Sequence, residues 1–396
     1  MKANIAIGLL IMLAFICAAG AAYILFVPEV LPVFNPDVDY HVYDDDVDLN
    51  STGWHCQPVE YYDLIFAYDV TTVCESYIPT ETTETTEPEA PHTRTITISA
   101  AGDATLGGDS RWAGYHAFMR EFNNSGGDHS HFLRNVAHIF RDSDLTIVNL
   151  EGTLTYAELH EDKEFVFRGP PHFAQILSSS YIDAVTISNN HTIDFFDAGY
   201  RDTINALRAE GIVYFGNEFN TLMEVNGITV GLFGYRIWDD SAWNHNRITQ
   251  SIEYLRENGA GLIIAYFHWG TENVNFPEQY QINIGRFAIR QGADVVLGAH
   301  PHVIQGIETY MGRNIVYSLA NFCFGGNANP PDQDSFIFQQ TFTFYQGVLQ
   351  LQNDTNIIPI FVSSVRYRND FRPTIAQDTD GERILGRIAR YSAAIG

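Results

Sequence analysis

Short apolar runs that end in a polar, chemically competent residue recur along this chain. Thr95-Ile96-Thr97-Ile98-Ser99-Ala100 leads into Ala101-Gly102-Asp103, and Leu145-Thr146-Ile147-Val148 leads into Asn149-Leu150-Glu151. Ala184-Val185-Thr186-Ile187 leads into Ser188-Asn189-Asn190-His191, and the run 261–267 into His268-Trp269-Gly270. Val295-Val296-Leu297, flanked by Gly292 and Gly298, leads into Ala299-His300-Pro301-His302. β-Branched and aromatic residues bounded by turn formers predict strands. Between them the pattern predicts helices over 131–141, 172–180, 198–209, 249–258 and 280–290; the last two run into Gly259 and Gly292, which suit C-terminal caps. Further strands are expected over 228–233, 315–319, 336–344, 348–351 and 358–365, with a closing helix over 382–394. Alternation followed by a run of strands predicts an α/β class, with helices flanking a mixed sheet or a pair of packed sheets.

In layered α/β proteins, ligands sit beyond strand ends, on loops that a rigid sheet positions. Five runs ending in Asp103, Glu151, His191, His268 and the His300/His302 pair therefore point to one site. Pro301 fixes its own φ and keeps His300 out of the helical region, which holds both imidazoles on a stiff turn.

Composition narrows the partners. The 396 residues carry 48 Asp and Glu against 22 Lys and Arg, a net charge of −26. That excludes nucleic acid as an expected partner, because phosphate binding needs a basic footprint. Residues 5–27 form an uncharged, almost wholly apolar run preceded by Lys2, about right for a spanning helix of ~20 residues. Lys2 places that end in the cytoplasm and the rest outside, as a single-pass cell-membrane protein; cleavage near 18–22 is the competing reading. The Thr/Glu/Pro run 79–91 has nothing to bury and reads as an extended linker. The expected domains are an anchor (1–28), an acidic, aromatic module (29–78), a linker (79–93) and a layered domain (94–396). Cys56 and Cys74 could pair if the acidic module is exported.

The motifs Ala101-Gly102-Asp103-Ala104-Thr105-Leu106-Gly107, Asn149-Leu150-Glu151-Gly152, Ser188-Asn189-Asn190-His191-Thr192-Ile193-Asp194, His268-Trp269-Gly270-Thr271-Glu272, Gly298-Ala299-His300-Pro301-His302 and Tyr317-Ser318-Leu319-Ala320-Asn321-Phe322 resemble, in order, those of the CapA family. These are proteins of poly-γ-glutamate capsule synthesis, similar in fold to calcineurin-like metallophosphatases. The resemblance spans roughly 96–324 and implies a four-layer αββα sandwich. It implies that Asp103, Glu151, Asn190, His268, His300 and His302 ligate metal, and that His191 contacts substrate or leaving group. Carboxylate, amide oxygen and imidazole together suit one or two Mn, Fe or Zn ions rather than Ca. Asp194 either orients His191 or caps the following helix. Arg168 either faces an anionic substrate or makes a surface ion pair, and Asn321 borders the site or serves a turn. Implied partners are membrane-bound polymer synthase subunits and an anionic polymer or phosphoester. Three departures stand out: Thr105 occupies the position of a metallophosphatase histidine, Ala320 a position that is often Gly, and Ala299 a position that is often another His. A hydrolase of capsule synthesis, a non-catalytic scaffold of the synthase and a general exported phosphoesterase all follow from this pattern.

Overall fold

Runs of β-branched and aromatic residues form strands wherever both faces find cover. The computed structural model describes residues 54–55, 75–76, 92–351 and 354–395. The expected anchor, the linker up to residue 91 and the Cys56–Cys74 pair lie outside these residues, and Thr93, expected as the end of the linker, already begins a strand. The chain divides into two compact units, Met1–Pro88 and Glu89–Gly396. In the first, Trp54–His55 and Glu75–Ser76 pair antiparallel.

The second unit holds two large sheets. In chain order its main strands are β1 (Thr93–Thr105), β2 (Leu145–Leu150), β3 (Ala184–Thr186), β4 (Val213–Phe215), β5 (Thr221–Val225), β6 (Ile228–Ile237), β7 (Leu262–Trp269), β8 (Val295–Ala299), β9 (Ile307–Tyr310), β10 (Arg313–Val316), β11 (Asn321–Phe324), β12 (Asp334–Tyr345) and β13 (Asp354–Phe361). One sheet runs β13-β12-β1-β2-β3-β4, with β11 beside the end of β1; the other runs β9-β10-β8-β7-β6-β5. β1 to β4 are parallel, as are β6, β7, β8 and β10.

The sheets face each other across one apolar layer. Ile96, Ile98, Ala100, Leu145 and Ile147 from the first sheet meet Val230, Leu232, Leu262, Ile264, Val295 and Leu297 from the second. Alternate residues point outward, to helices. On the first sheet, α1 (Ala113–Asn124) and α2 (Phe196–Ala209) contribute Phe118, Ile204 and Leu207. On the second, α3 (Ala242–Glu257) and α4 (Gln279–Gln291) contribute Ile248, Ile252, Leu255, Ile284 and Ala288. A last helix, α5 (Asp378–Ala393), brings Ile384, Ile388 and Tyr391 against β13 and β9 and so spans one edge of both sheets. The architecture is mixed α/β, in four layers from helix through two sheets to helix.

Four expected helices differ in detail: that over 172–180 is a turn at Pro171–Phe173 followed by Ala174–Ser178, and that over 382–394 begins at Asp378. Instead of a helix over 131–141, a single turn at His129–His131 precedes Ala137–Arg141. Phe132 stacks on Phe118 at 4.3 Å, and that packing sets the path here rather than helical periodicity. The helix expected over 249–258 begins earlier, at Ala242, where the Ser241 side chain accepts from the Asn244 N–H. β4, β5 and β9 are half-buried edge or short strands without a long apolar run.

Candidate metal centre

Every parallel strand whose run ends in a competent residue delivers it to the same rim of the sandwich. β1 does so through an irregularity: its pairing with β2 shifts register between Ala101 and Asp103, leaving Gly102 as the extra residue. Such a bulge re-aims the next side chain. Asp103 is fully buried, and its amide donates to the Ala320 carbonyl at 3.0 Å. Ala320 and the two histidines of the last loop adopt left-handed backbone conformations, with φ of 59° at Ala320, 97° at His300 and 57° at His302. Non-glycine residues pay strain there, which the surrounding hydrogen bonds hold in place. His300 donates its amide toward Asp103 Oδ2 at 3.4 Å, and His302 Nδ1 lies 3.1 Å from the same oxygen and 2.9 Å from Asn321 Oδ1.

Two overlapping triads result. Glu151, His300 and His302 form one, and Asp103, Glu151 and His268 the other; within each, one ligand atom from every residue lies within 4.8 Å of the rest. Glu151 belongs to both. Its Oε1 stands 3.7 Å from His268 Nε2 and 3.9 Å from His302 Nε2. Asn190 joins through Oδ1, 2.6 Å from His268 Nε2. Thus Asp103, Glu151, Asn190, His268, His300 and His302 come together.

The electrostatics of this group ask for a cation. Glu151 is fully buried, and neither carboxylate oxygen has a hydrogen-bond partner among the described residues; His300 Nδ1 is likewise buried and unpartnered. A desolvated, unpaired carboxylate is among the costliest groups a protein can bury. Burial, then repulsion from Asp103, pushes Glu151 well above the usual carboxylate range. Burial, then His302, drives His300 down to about 3, and burial, then His300, holds His268 well below its ordinary value. These two imidazoles are therefore neutral, the form that ligates metal. His302 resists the pull of its own burial because Glu151 and Asp103 hold it up to about 10. A divalent ion at the shared carboxylate reverses this balance, since it supplies the positive charge that His302 otherwise provides. The donor set and the orphaned atoms fit such an ion.

His191 sits at the edge of the group. Its Nδ1 lies 2.7 Å from Asp194 Oδ2, and Phe167 stacks on its ring at 4.0 Å. Asp194 also accepts the Phe167 N–H and pairs with Lys163. Of the two roles open to Asp194, its contacts are those of an orienting partner. Burial pulls His191 below its ordinary value against the opposing effect of Asp194. The neutral ring keeps its proton on Nδ1 and offers Nε2 as an acceptor. Arg168 makes no contact with the ligands: it donates to the Ala157 carbonyl and lies over the Phe195 ring. The Asn321 side chain contacts His302, and its backbone pairs in register with Asp103. Thr105 is buried with its hydroxyl unpartnered.

The motifs assign no role to three supporting residues, although Asn149 opens one of these motifs. Asn149 donates to Asp103 Oδ1 at 2.8 Å, faces His268 Nδ1 at 3.3 Å and accepts from Asn189. Lys163, the only lysine after Lys2, bonds the Asn190 carbonyl at 2.7 Å besides pairing with Asp194. Its rarity was the available signal. Trp238 lies edge-on to His300, with ring centroids 4.8 Å apart. Nothing local marks it, because the contact joins β6 to the β8 loop.

Comparisons with known proteins identify relatives of this chain. The family model described as bacterial capsule synthesis protein PGA_cap matches residues 97–326, over half of the chain. The PGA biosynthesis protein CapA of Bacillus subtilis is 28% identical over 210 residues, which cover 48% of this chain and 55% of that protein. The capsule biosynthesis protein CapA of Bacillus anthracis is 24% identical over 255 residues, covering 58% and 60%. The chain thus spans little more than half the length of these relatives. Among solved structures, a hypothetical protein from Thermus thermophilus aligns over 67% of this chain and 99% of its own, at 14% identity and a TM-score of 0.40.

Proposed function

Since the chain belongs to the bacterial capsule synthesis protein PGA_cap family, we propose that it serves poly-γ-glutamate capsule synthesis as a membrane-anchored protein with a metal-dependent, hydrolase-type site. The observation that carries this reading is Glu151, a buried carboxylate with both oxygens unpartnered, shared by two triads of ligand atoms. In this reading residues 5–27 anchor the chain, the layered domain lies outside the cell, and membrane-bound synthase subunits are its partners. In this reading its layered sheets and strand-end ligands resemble those of the calcineurin-like metallophosphatases, with Thr105 in place of one histidine.

Asp103, Glu151, Asn190, His268, His300 and His302 would hold one or two Mn, Fe or Zn ions, which supply a Lewis acid for an acyl or phosphoryl oxygen. The chain's own residues do the rest. Asp194 fixes the His191 tautomer, so that Nε2 accepts a proton from attacking water or, once protonated, returns it to the leaving group. Phe167, stacked on that ring, limits its rotation and excludes water from one face.

A second reading, a non-catalytic scaffold, draws support from Thr105, whose hydroxyl stands in place of a histidine ligand. Assaying purified protein for γ-glutamyl hydrolase and phosphoesterase activity, with and without added Mn or Zn, separates the two. Metal-dependent turnover that falls in His191→Ala supports the hydrolase. Absence of turnover in every condition, with polymer production in cells unaffected by His191→Ala, leaves the scaffold.

A further inference from the structure

We propose that Arg236 is the anion-holding residue of this site: its guanidinium takes an oxyanion of a ligand whose reacting group lies against the ligand cluster. Resting on the reading above, that oxyanion is a carboxylate of a glutamyl unit.

Position is the first argument. β6 and β7 are parallel neighbours, and Arg236 pairs in register with His268. Register partners on adjacent strands project from the same face of a sheet, about 5 Å apart. Alternation agrees: Val230 and Leu232 point into the layer between the sheets, while Phe233, Tyr235 and Ile237 point to the helices. Arg236 therefore leaves the face that His268 leaves, one strand over, where that layer opens to solvent.

Its backbone is fixed to the site. The Arg236 amide donates to Ser188 Oγ at 3.0 Å, in the loop that carries Asn190 and His191, and its carbonyl accepts from Arg247 at 2.6 Å. Two residues on, Trp238 packs against His300 and His268, at 4.8 and 6.2 Å between centroids. The end of β6 is thus one wall of the cluster.

Availability is the second argument. Among the described residues, the Arg236 guanidinium makes no hydrogen bond, ion pair or ring contact, whereas other cations nearby are engaged. Lys163 serves Asp194 and Glu161, Arg168 serves Ala157, and Arg247 lies over Tyr235 and Trp243. The carboxylates nearest in sequence are also committed. Asp239 bonds the Ser241 amide and Asn244, and Asp240 pairs with His245 and Asn283. An exposed strand-end arginine is ordinarily just solvated. Here the whole chain carries −26, so an anionic ligand meets repulsion unless a cation stands within a Debye length, about 10 Å. A planar guanidinium beside the ligands meets that need and can grip a carboxylate with two parallel bonds.

The test compares the full-length parent, Arg236→Gln, Arg236→Lys and Arg290→Gln, each loaded with Mn, by calorimetric titration with tri-γ-glutamate and separately with inorganic phosphate. Arg290, near the C-terminal end of α4, controls for loss of one positive charge anywhere on the chain. Arg236→Gln should weaken binding roughly 10–100-fold, the usual range for a charge-assisted hydrogen bond. Arg236→Lys should recover part of it, Arg290→Gln should stay near the parent, and bound metal should be equal in all four. If this pattern holds for phosphate and tri-γ-glutamate does not bind, Arg236 stands as the anion holder and the glutamyl substrate falls. If Arg236→Gln matches the parent with both probes, or the parent binds neither, the assignment is overturned.

Discussion

A Cβ added at Gly102 would stand 1.8 Å from the Ala320 carbonyl oxygen, the acceptor of the Asp103 amide. No rotamer relieves a clash with backbone, so Gly102→Ala must move either β1 or the β11 approach. Overpacking of this kind costs about 1–3 kcal/mol. We expect a lower urea midpoint and at least a tenfold loss of metal affinity, because Asp103 is carried along; unchanged metal binding would show that the bulge does not aim the ligand. His300 and His191 separate ligand from proton carrier. His300→Ala should lose metal and activity together, whereas His191→Ala should keep metal and lower turnover by roughly 10²–10⁴-fold. Metal content and turnover measured on the same samples check both. Residues at this scale were readable where an acid or histidine follows an apolar run, as at Asp103, Glu151, His268 and His300. They were unreadable where the role depends on a partner far along the chain: Asn149 acts through His268, 119 positions away. Arg168 shows the converse, a conspicuous cation beside a motif whose side chain Ala157 and Phe195 engage.

At the level of elements, long buried runs were legible and short or half-exposed strands were not. β7 is buried along its whole length and reads as one apolar segment, while β9 pairs only at the sheet edge and carries Glu308 and Tyr310. The extra turns of α3 depend on a cap at Ser241, a single-residue signal easily passed over. The closing helix α5 is tied down by charge as well as by Ile384 and Ile388. Asp334, buried at the start of β12, accepts from Arg383 and Arg387, and Arg387 also bonds Asp332. Burial alone would raise the Asp334 carboxyl, but hydrogen bonds from Arg383 and Arg387 outweigh it and hold it below the usual range. A depressed folded value stabilises above the unfolded value, near pH 4, and that stability is lost as pH falls through the folded value. Asp334→Asn should therefore cost about 1.5–3 kcal/mol at pH 7, and the gap from the parent should narrow below pH 4. Denaturant titrations at pH 7 and pH 3 test this; an equal gap at both would mean that the charge of Asp334 is not what clamps α5.

For the whole molecule, acidity and metal chemistry must be reconciled. If the chain works on an anionic polymer, as proposed, its net charge of −26 calls for positive charge placed locally, which metal ions at the ligand cluster and Arg236 at its rim would supply. No helix among the described residues is long and apolar enough to cross a membrane, and the apolar run 5–27 lies outside them. If that run is the anchor, full-length protein expressed in a Gram-positive host should sediment with membranes and a chain lacking residues 1–28 should not; equal solubility of the two would remove the anchor. The central claim, that Glu151 is the shared ligand of a divalent metal centre, is tested most directly by elemental analysis. Full-length parent and Glu151→Gln would be dialysed against Mn and Zn and then freed of excess ion. The account predicts one or two ions per parent chain and fewer than a tenth as many in Glu151→Gln, with both proteins equally folded by circular dichroism. A parent that retains no ion above background, or a Glu151→Gln variant that retains as many as the parent, would contradict it.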